Sequence, residues 1–351
     1  MTDVARNGHA PVAVVVVTWN SERYIEECLA SLLGLTRRPA EIVVVDNASA
    51  DRSVELVRSR FPGVRCLALD SNVGFCRANN LGIRSTRAPF VLVLNPDTRL
   101  GPAFLAELLP AFDDPCVGMA AGKLLRFDGA TLDSCGQSLA RSRQPVDRGY
   151  GRADRGQFDR DEPVFGVCGA AALYRRSMLE AVALGPGVYF DEAYFAFYED
   201  LDLAWRAQRR GWRAAYRHLA RGLHARGGSV AATPGRQRLM ALWARSPEVR
   251  FHVAKNRGLT LLRNESARGF LANLPFILIR DLATFVWLLL SSPSVLVRLW
   301  RVRDLFRTVW RARRLDSTAP AHHVEGGGPQ GRAAAGGEPR SAANPEDPGQ
   351  V

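Results

Sequence analysis

Short runs of apolar residues alternate with amphipathic stretches along the first 95 residues of the chain. The apolar runs predict four β-strands, at residues 12–18, 41–46, 64–70 and 90–94. The stretches between them predict helices at residues 21–33, from 49 or 51 to 60, and within 72–85. Continuous β-branched runs are typical of strands buried on both faces of a sheet. This strand–helix order predicts an α/β fold with a doubly wound, mostly parallel sheet.

The pattern is less regular after this region. A polar stretch at residues 141–162 predicts a loop, residues 167–174 predict a strand, and residues 199–210 predict a helix. Helices are also expected within residues 237–264, and an amphipathic helix is expected at residues 295–314.

One strongly apolar segment, residues 269–300, is interrupted by Pro275, by Arg280-Asp281 and by Pro293. Its longest stretch without a charge, residues 282–297, has 16 residues. Crossing a bilayer takes about 20 apolar residues. We therefore expect a hairpin that lies in the plane of a membrane surface or inserts shallowly, rather than a spanning helix.

Charge and composition divide the rest of the chain. The net charge is +12, and residues 236–316 alone contribute +11, from 16 basic and 5 acidic residues. A local basic excess indicates an anionic membrane, a nucleic acid or an anionic ligand, and the interleaved apolar runs favour the membrane. We predict a disordered N-terminus (1–10), one globular domain (11–235), a basic helical membrane-associating region (236–316) and a disordered tail (317–351).

The cysteines and the N-terminus indicate the compartment. The six cysteines stand apart and form no CxxC pair, so neither a disulfide framework nor a zinc site is expected. The first eleven residues are polar and lack the apolar core of a signal peptide. We expect a protein of the cytoplasm.

Polar residues follow the predicted strands. Thr18, Asn20, Asp46, Asn47, Asn95 and Asp97 all lie at carboxyl ends of strands, where doubly wound sheets bind ligands. No GxGxxG motif follows the first strand and no GxxxxGK[ST] motif occurs in the chain. These absences argue against a dinucleotide-dependent oxidoreductase and a P-loop nucleotidase.

Four separated motifs together carry a more specific signal. They are Val-Thr-Trp-Asn at 17–20, Val-Asp-Asn-Ala-Ser at 45–49, Leu-Asn-Pro-Asp at 94–97 and Phe-Tyr-Glu-Asp-Leu-Asp at 197–202. In this order, and with Asn72-Val73-Gly74-Phe75, the chain resembles a family 2 glycosyltransferase of the type A fold, in particular its rhamnosyltransferase-like branch. The resemblance covers residues 11–229 and makes residues 11–235 the catalytic domain.

The resemblance implies an inverting transfer from a nucleotide diphosphate sugar. Asp200 would be the general base that removes a proton from the acceptor hydroxyl, and the adjacent Glu199 would hold a backbone N–H or an acceptor hydroxyl. A Mg²⁺ or Mn²⁺ ion bound by Asp97 and His224 would stabilise the departing diphosphate. The family usually has Asp-x-Asp here, and this chain has Asn95 in the first place.

The remaining candidate residues are assigned by the same resemblance. Asp46 would read the pyrimidine base, and Arg77 would meet a phosphate. Other nucleotide-sugar-binding candidates are Thr18, Asn20, Asn47, Asn72, Gly74 and Asn95. Gly169 and Ala170 would line the acceptor side. Asp202 and Arg206, four apart on a helix, predict a surface or structural ion pair.

The leading hypothesis is an enzyme of cell-surface polysaccharide synthesis that uses dTDP-rhamnose or a UDP-sugar. It would act on a glycan or lipid-linked acceptor, peripherally at the inner face of the cell membrane and without nucleic acid. One alternative is a non-catalytic, membrane-associated nucleotide-sugar-binding protein, which Asn95 would favour. Another is a nucleotidyltransferase, although such enzymes usually carry a basic glycine-rich loop where Thr18-Trp19-Asn20 stands.

Overall fold

The computed structural model describes residues 9–226 and 246–316. Its strands are β1 (Ala10–Thr18), β2 (Pro39–Asp46), β3 (Arg65–Ala68), β4 (Phe90–Leu94), β5 (Thr98–Leu100), β6 (Val117–Leu125), β7 (Leu132–Ser134), β8 (Gln137–Leu139), β9 (Pro145–Asp147), β10 (Glu162–Val164), β11 (Ala171–Arg175) and β12 (Arg213–His224). Its α-helices are α1 (Ile25–Leu33), α2 (Ser53–Arg60), α3 (Phe75–Arg84), α4 (Phe104–Leu108), α5 (Arg176–Ala181), α6 (Glu199–Arg209), α7 (Pro247–Asn264), α8 (Ala267–Ser291), α9 (Pro293–Arg301) and α10 (Arg303–Asp316).

Some predictions fall outside the described residues. These are the disordered tail, nearly all of the disordered N-terminus, the domain boundary after residue 235 and the first part of the helical region 237–264.

The central sheet has the order β10-β12-β6-β11-β4-β1-β2-β3. The strands β4, β1, β2 and β3 are parallel, as the strand–helix alternation predicts. Strand β11 lies antiparallel between β4 and β6, and β12 runs parallel to β6, so the second half of the sheet is mixed. Thr18 pairs with Asp46 in the register of β1 and β2. The α/β fold is confirmed, and the strand ends that carry the polar motifs share one edge.

Apolar side chains cover both faces of this sheet. Val14 and Val16 of β1 point into one core and Val15 into the other, so the strand is buried on both sides as its sequence predicts. Helix α3 approaches β1 closely because it has Gly82 there: a Cβ at this position would lie 2.4 Å from Cγ1 of Val15.

The C-terminal helices share one of these cores. Leu259 of α7 is fully buried and Val309 of α10 is nearly so, both in the cluster that contains Val15. A Cβ on Gly258 of α7 would lie 2.6 Å from the ring of Phe306, so α7 and α10 are also in close contact. Helices α7 and α10 therefore share the apolar core of the sheet as well as carrying part of the basic excess.

Helix α8 corrects one expectation. It runs unbroken for 25 residues through Pro275 and Arg280-Asp281, so the hairpin expected at residues 269–300 does not turn at these positions. Asp281 is paired with Arg257 of α7, which neutralises the charge on the protein side of the helix. The helix ends at Ser291, so Pro293 alone among these positions coincides with a break between helices. By length and composition α8 is sufficient to cross a membrane.

Two smaller differences concern the segments around it. The amphipathic helix expected at residues 295–314 is divided at Val302 into α9 and α10. The loop expected at residues 141–162 contains β9, which pairs with β8 as a two-stranded hairpin.

Candidate functional site

The ends of β1 and β2 form the first part of the site. Thr18 is fully buried, and Asp46 is nearly so. Both carboxylate oxygens of Asp46 accept hydrogen bonds from Ser49, one from its backbone N–H at 2.9 Å and one from its hydroxyl. Asn20 has a positive φ of 50°, and its Oδ1 accepts from the backbone N–H of Ala50 at 2.8 Å. These side chains close the turns that follow the two strands.

Asn47 connects this edge to the loop after β3. Its Oδ1 accepts from the backbone N–H of Val73 at 2.8 Å, and its Nδ2 donates to Oδ1 of Asn72 at 2.8 Å. The same Asn72 oxygen accepts from the N–H of Gly74 at 3.0 Å. Gly74 has a φ of +85°, and a Cβ there would lie 2.5 Å from the ring of Phe195. The three residues predicted to bind the nucleotide sugar, Asn47, Asn72 and Gly74, are therefore joined by hydrogen bonds.

Arg77 lies beside these residues, on α3. Its side chain is 57% exposed, and its Nε is 3.8 Å from Oε2 of Glu192. A phosphate role for Arg77 stays a prediction.

The predicted metal ligands lie side by side. The backbone pairing of β5 with β12 places Thr98 opposite His224, and Nε2 of His224 is 3.2 Å from Oδ1 of Asp97. Burial disfavours the charged imidazole, but hydrogen bonds to Asp133 and Asp97 outweigh it and raise the pKa of His224 to about 9. The sequence prediction thus selected two side chains that meet in space.

Asp97 and His224 suit a divalent ion that also binds the phosphates of a substrate. Within residues 9–226 and 246–316, no group of three or more His, Cys, Asp or Glu side chains has the arrangement of a metal site. Mg²⁺ sites commonly use one or two protein ligands plus substrate phosphates and waters. An oxygen from Asp97 fits such a site, and a nitrogen from His224 fits it once the imidazole has lost the proton that it shares with Asp97.

Three residues that the sequence analysis missed support Asp97 and His224, which together form the metal corner. Asp133 is fully buried; its Oδ2 lies 2.8 Å from Nδ1 of His224, and its Oδ1 accepts from Nε of Arg226 at 2.5 Å. Arg226 also donates to Oδ2 of Asp147 at 2.6 Å. A carboxylate behind a ligating histidine fixes the ring orientation and the tautomer. No motif marked Asp133 or Asp147, because their partners lie about 80 to 90 residues away.

The Glu199–Asp200 pair begins α6. Oδ2 of Asp200 accepts from Nε2 of Gln137 at 2.7 Å and from the N–H of Gly169 at 3.1 Å. Its Oδ1 accepts from the N–H of Leu201 at 2.7 Å. Glu199 is 9% exposed, and its Oε2 is buried without a hydrogen-bond partner among the described residues.

Burial affects the protonation of both carboxyls. It raises the pKa of Glu199, and the adjacent Asp200 raises it further. Burial also raises the pKa of Asp200, although the N–H of Gly169 opposes this by stabilising the carboxylate. Neighbouring carboxyls of this kind tend to share one proton. Because three donors surround Asp200, its carboxylate is the better-stabilised charge, and Glu199 is the better position for the proton.

Backbone contacts join the carboxyl pair to the metal corner. The carbonyl of Ala170 accepts from the N–H of Asn95 at 2.9 Å, while the preceding Gly169 binds Asp200. A Cβ on Gly169 would be 3.8 Å from Oδ2 of Asp200 and 3.9 Å from Oε1 of Glu199. Gly169 and Ala170 thus bridge the two parts of the site, and their acceptor role stays a prediction.

Asp202 and Arg206 form a buried structural pair rather than a surface one. Asp202 is fully buried; its Oδ2 accepts from Nε of Arg206 at 2.8 Å and its Oδ1 accepts from Nδ2 of Asn264 at 2.8 Å. Burial raises the pKa of Asp202, but Arg206 and Arg263 outweigh it, so the net shift is downward. This pair fixes α6 against α7.

Comparisons with known proteins agree with this site. A family model described as glycosyl transferase family 2 matches residues 13–183. An N-acetylglucosaminyl-diphospho-decaprenol L-rhamnosyltransferase of Mycobacterium tuberculosis is 33% identical over 259 residues, which cover 67% of this chain and 80% of that protein. The chain belongs to glycosyltransferase family 2.

Solved structures share the fold of this family 2 glycosyltransferase. TarS of Staphylococcus aureus has a TM-score of 0.52 and 18% identity, covering 87% of this chain and 53% of that one. GalNAc-T7, solved with UDP, GalNAc and Mn²⁺, has a TM-score of 0.52 and 13% identity, covering 72% and 47%. The type A glycosyltransferase fold is therefore confirmed. At these identities the likeness concerns the fold alone.

Family membership decides between the classes considered from the sequence. The glycosyltransferase is an enzyme of the hexosyltransferase type, rather than a nucleotidyltransferase or a non-catalytic binding protein. The family match contains the strand-end motifs and Gly169-Ala170, whereas Glu199, Asp200 and His224 lie beyond it. Their roles rest on the geometry described above.

Proposed function

We propose that this glycosyltransferase transfers rhamnose from dTDP-rhamnose, with inversion, to a hydroxyl of a lipid-linked glycan acceptor in cell-surface polysaccharide synthesis. The observation that carries the proposal is the Glu199–Asp200 pair, which is bound through Gly169 next to the Asp97–His224 corner. The name of the 33% identical mycobacterial relative supports the choice of sugar and of a polyprenyl-linked acceptor. A UDP-sugar is the second donor to test.

Asp200 is the general base in this mechanism. As its carboxylate, it takes the proton of the acceptor hydroxyl while that oxygen attacks the anomeric carbon. Gln137, Gly169 and Leu201 hold the carboxylate in place through three hydrogen bonds. Protonated Glu199 keeps a second negative charge out of the site and has an oxygen available for an acceptor hydroxyl.

Asp97 and His224 would hold a divalent cation, Mg²⁺ or Mn²⁺. When bound, such a cation would supply charge neutralisation for the departing diphosphate. Asp133 orients His224 so that Nε2 points toward Asp97. Asn95 contributes at most an uncharged oxygen, so the protein supplies one carboxylate fewer than the usual motif.

The apolar face of α8 supports a place at the membrane. Ile279 is 69% exposed, Leu282 is 64% exposed and Leu290 is 74% exposed. Exposed apolar surface of this extent marks an interaction site. Trp300 of α9 and the arginines that follow it add amphipathic and basic groups, which suit an anionic lipid surface. The enzyme then works from the cytoplasm at the inner face of the membrane.

A transfer assay tests the proposal. Purified full-length protein is given dTDP-rhamnose or a UDP-sugar, a polyprenyl-diphospho-N-acetylglucosamine acceptor, and Mn²⁺, Mg²⁺ or EDTA. We expect metal-dependent transfer from dTDP-rhamnose and inverted stereochemistry in the product. Transfer from UDP-sugars alone would overturn the choice of donor, and unchanged transfer in EDTA would overturn the metal role.

A further inference from the structure

The turn before the carboxyl pair has an unusual backbone. Phe195, Phe197 and Tyr198 have φ values of 67°, 72° and 71°, and none of them is glycine. Bulky side chains avoid this region, so such a conformation persists only where its surroundings hold it. Because Tyr198 immediately precedes Glu199, the conformation of this turn sets where both carboxyls of α6 lie.

Helix α7 holds this turn through one side chain. Asn256 is fully buried, and the two N–H groups on its Nδ2 are shared among the backbone carbonyls of Tyr194 at 3.0 Å, Ala196 at 2.7 Å and Phe197 at 2.7 Å. These carbonyls converge on a single amide because the positive φ angles bend the chain around it.

Two neighbours on the same face of α7 extend the contact. Nζ of Lys255 donates to the carbonyl of Ala193 at 2.6 Å. The ring of His252 stacks on that of Phe195, with centroids 4.9 Å apart and an interplanar angle of 18°. Positions 252, 255 and 256 are spaced three and four apart, as residues on one helix face are.

The opposite side of the turn rests on the donor loop. The carbonyl of Phe195 accepts from the N–H of Cys76 at 3.1 Å, and its ring fills the space above Gly74. The turn is therefore fixed between the Asn72–Gly74 unit on one side and α7 on the other.

We propose that Asn256 is a positioning residue for the Glu199–Asp200 pair, with Lys255 as its auxiliary. This inference rests on the proposed function, because it assigns Asn256 to the placement of the proposed base. Loss of the amide releases three carbonyls, and the strained turn relaxes toward ordinary backbone angles. Asp200 then leaves its place beside Gly169, although the donor side keeps its own hydrogen bonds.

The test compares Asn256→Ala with Leu259→Ala in the full chain. Leu259 is fully buried on the same helix, one turn away, and packs in the apolar core. Thermal unfolding shows how much each variant is destabilised, and assays run well below both transitions. We expect Asn256→Ala to lower kcat about 10²-fold with the KM for dTDP-rhamnose unchanged, and Leu259→Ala to leave kcat near wild type. Equal effects of the two substitutions, or a wild-type kcat in Asn256→Ala, would overturn the proposal.

Hydrogen exchange separates this inference from the proposed function. Amides of residues 195–201 should exchange faster in Asn256→Ala than in Leu259→Ala, whatever the substrate. If the wild type transfers no sugar to the chosen acceptor but this difference is present, the choice of substrate is wrong and the positioning role of Asn256 is supported. If exchange in this segment is the same in both variants, the positioning role of Asn256 is wrong.

Discussion

The donor side and the carboxyl pair are held by contacts of different range. Asp46 accepts from Ser49, three residues later, and Asn47 binds Asn72, 25 residues later. Asp200 accepts a hydrogen bond from Gln137, which lies 63 residues earlier. The turn before Asp200 is hydrogen-bonded to Asn256, which lies 60 residues after Ala196 of that turn. The loops proposed to bind the nucleoside of the donor are thus built into the first βα units, whereas the proposed base, like the Asp97–His224 corner, depends on distant parts of the chain. Substitutions should separate the two functions.

A substitution in the metal corner should have the largest effect on nucleotide binding. Asp97→Ala removes the carboxylate of the corner, so we expect it to abolish the Mn²⁺-dependent part of dTDP binding. Asn95→Ala removes no charge and should do less. Calorimetry with and without Mn²⁺ measures both variants. Donor binding that is independent of metal in the wild type would contradict the assignment of Asp97.

Asp133 tests the support behind that corner. Asp133→Asn keeps the shape but removes the charge that orients His224, so we expect Mn²⁺ affinity to fall about 10–100-fold. The exposed Asp113→Asn serves as the matched control. Unchanged Mn²⁺ affinity in Asp133→Asn would show that His224 needs no carboxylate behind Nδ1.

Glu199 should make stability depend on pH. Burial raises its pKa to about 8 from an ordinary 4.5, so the folded state binds more protons than the unfolded state between these values. The free energy of unfolding should therefore fall as pH rises through this window. Glu199→Gln should flatten that slope, while the exposed control Glu180→Gln should keep it. Urea unfolding from pH 5 to pH 9 measures the slopes, and parallel curves for wild type and Glu199→Gln would refute the shift.

Membrane binding should be separable from donor binding and from sugar transfer. The double substitution Ile279→Glu and Leu282→Glu places charges on the exposed face of α8, so we expect reduced flotation with anionic liposomes. Leu219→Glu alters a similarly exposed apolar residue, 52% accessible, on β12 and serves as control. High salt should weaken wild-type binding. Retention on liposomes after alkaline extraction would instead indicate that α8 spans the bilayer.

Sequence patterns predicted the local parts of this enzyme well. The strands that end at Thr18, Asp46 and Leu94 follow from continuous apolar runs, and their order places the polar motifs on one edge. Asp97 and His224 were paired from the family resemblance, and the structure places them 3.2 Å apart.

Other features could not be read from neighbouring residues. Asp133 and Gln137 act on partners 91 and 63 residues away, and no periodicity marks such pairs. Helix α8 continues through Arg280-Asp281, and Asp281 pairs with Arg257 on another helix, a contact that the apolar pattern does not indicate. Asn256 lies in a stretch whose charge indicates an anionic partner, and its proposed role depends on the backbone angles of a distant turn.

The most direct test of the account is Asp200→Asn, with donor binding and transfer measured on the same preparation. We predict a loss of transfer of about 10²–10⁴-fold with the dTDP affinity in Mn²⁺ unchanged, because the donor loops do not use the Asp200 carboxylate. The single amide oxygen can still accept from Gln137 and from the N–H of Gly169, while the hydrogen bond from the N–H of Leu201 is lost, so thermal unfolding of the variant is measured in parallel. Wild-type turnover in Asp200→Asn would contradict the account.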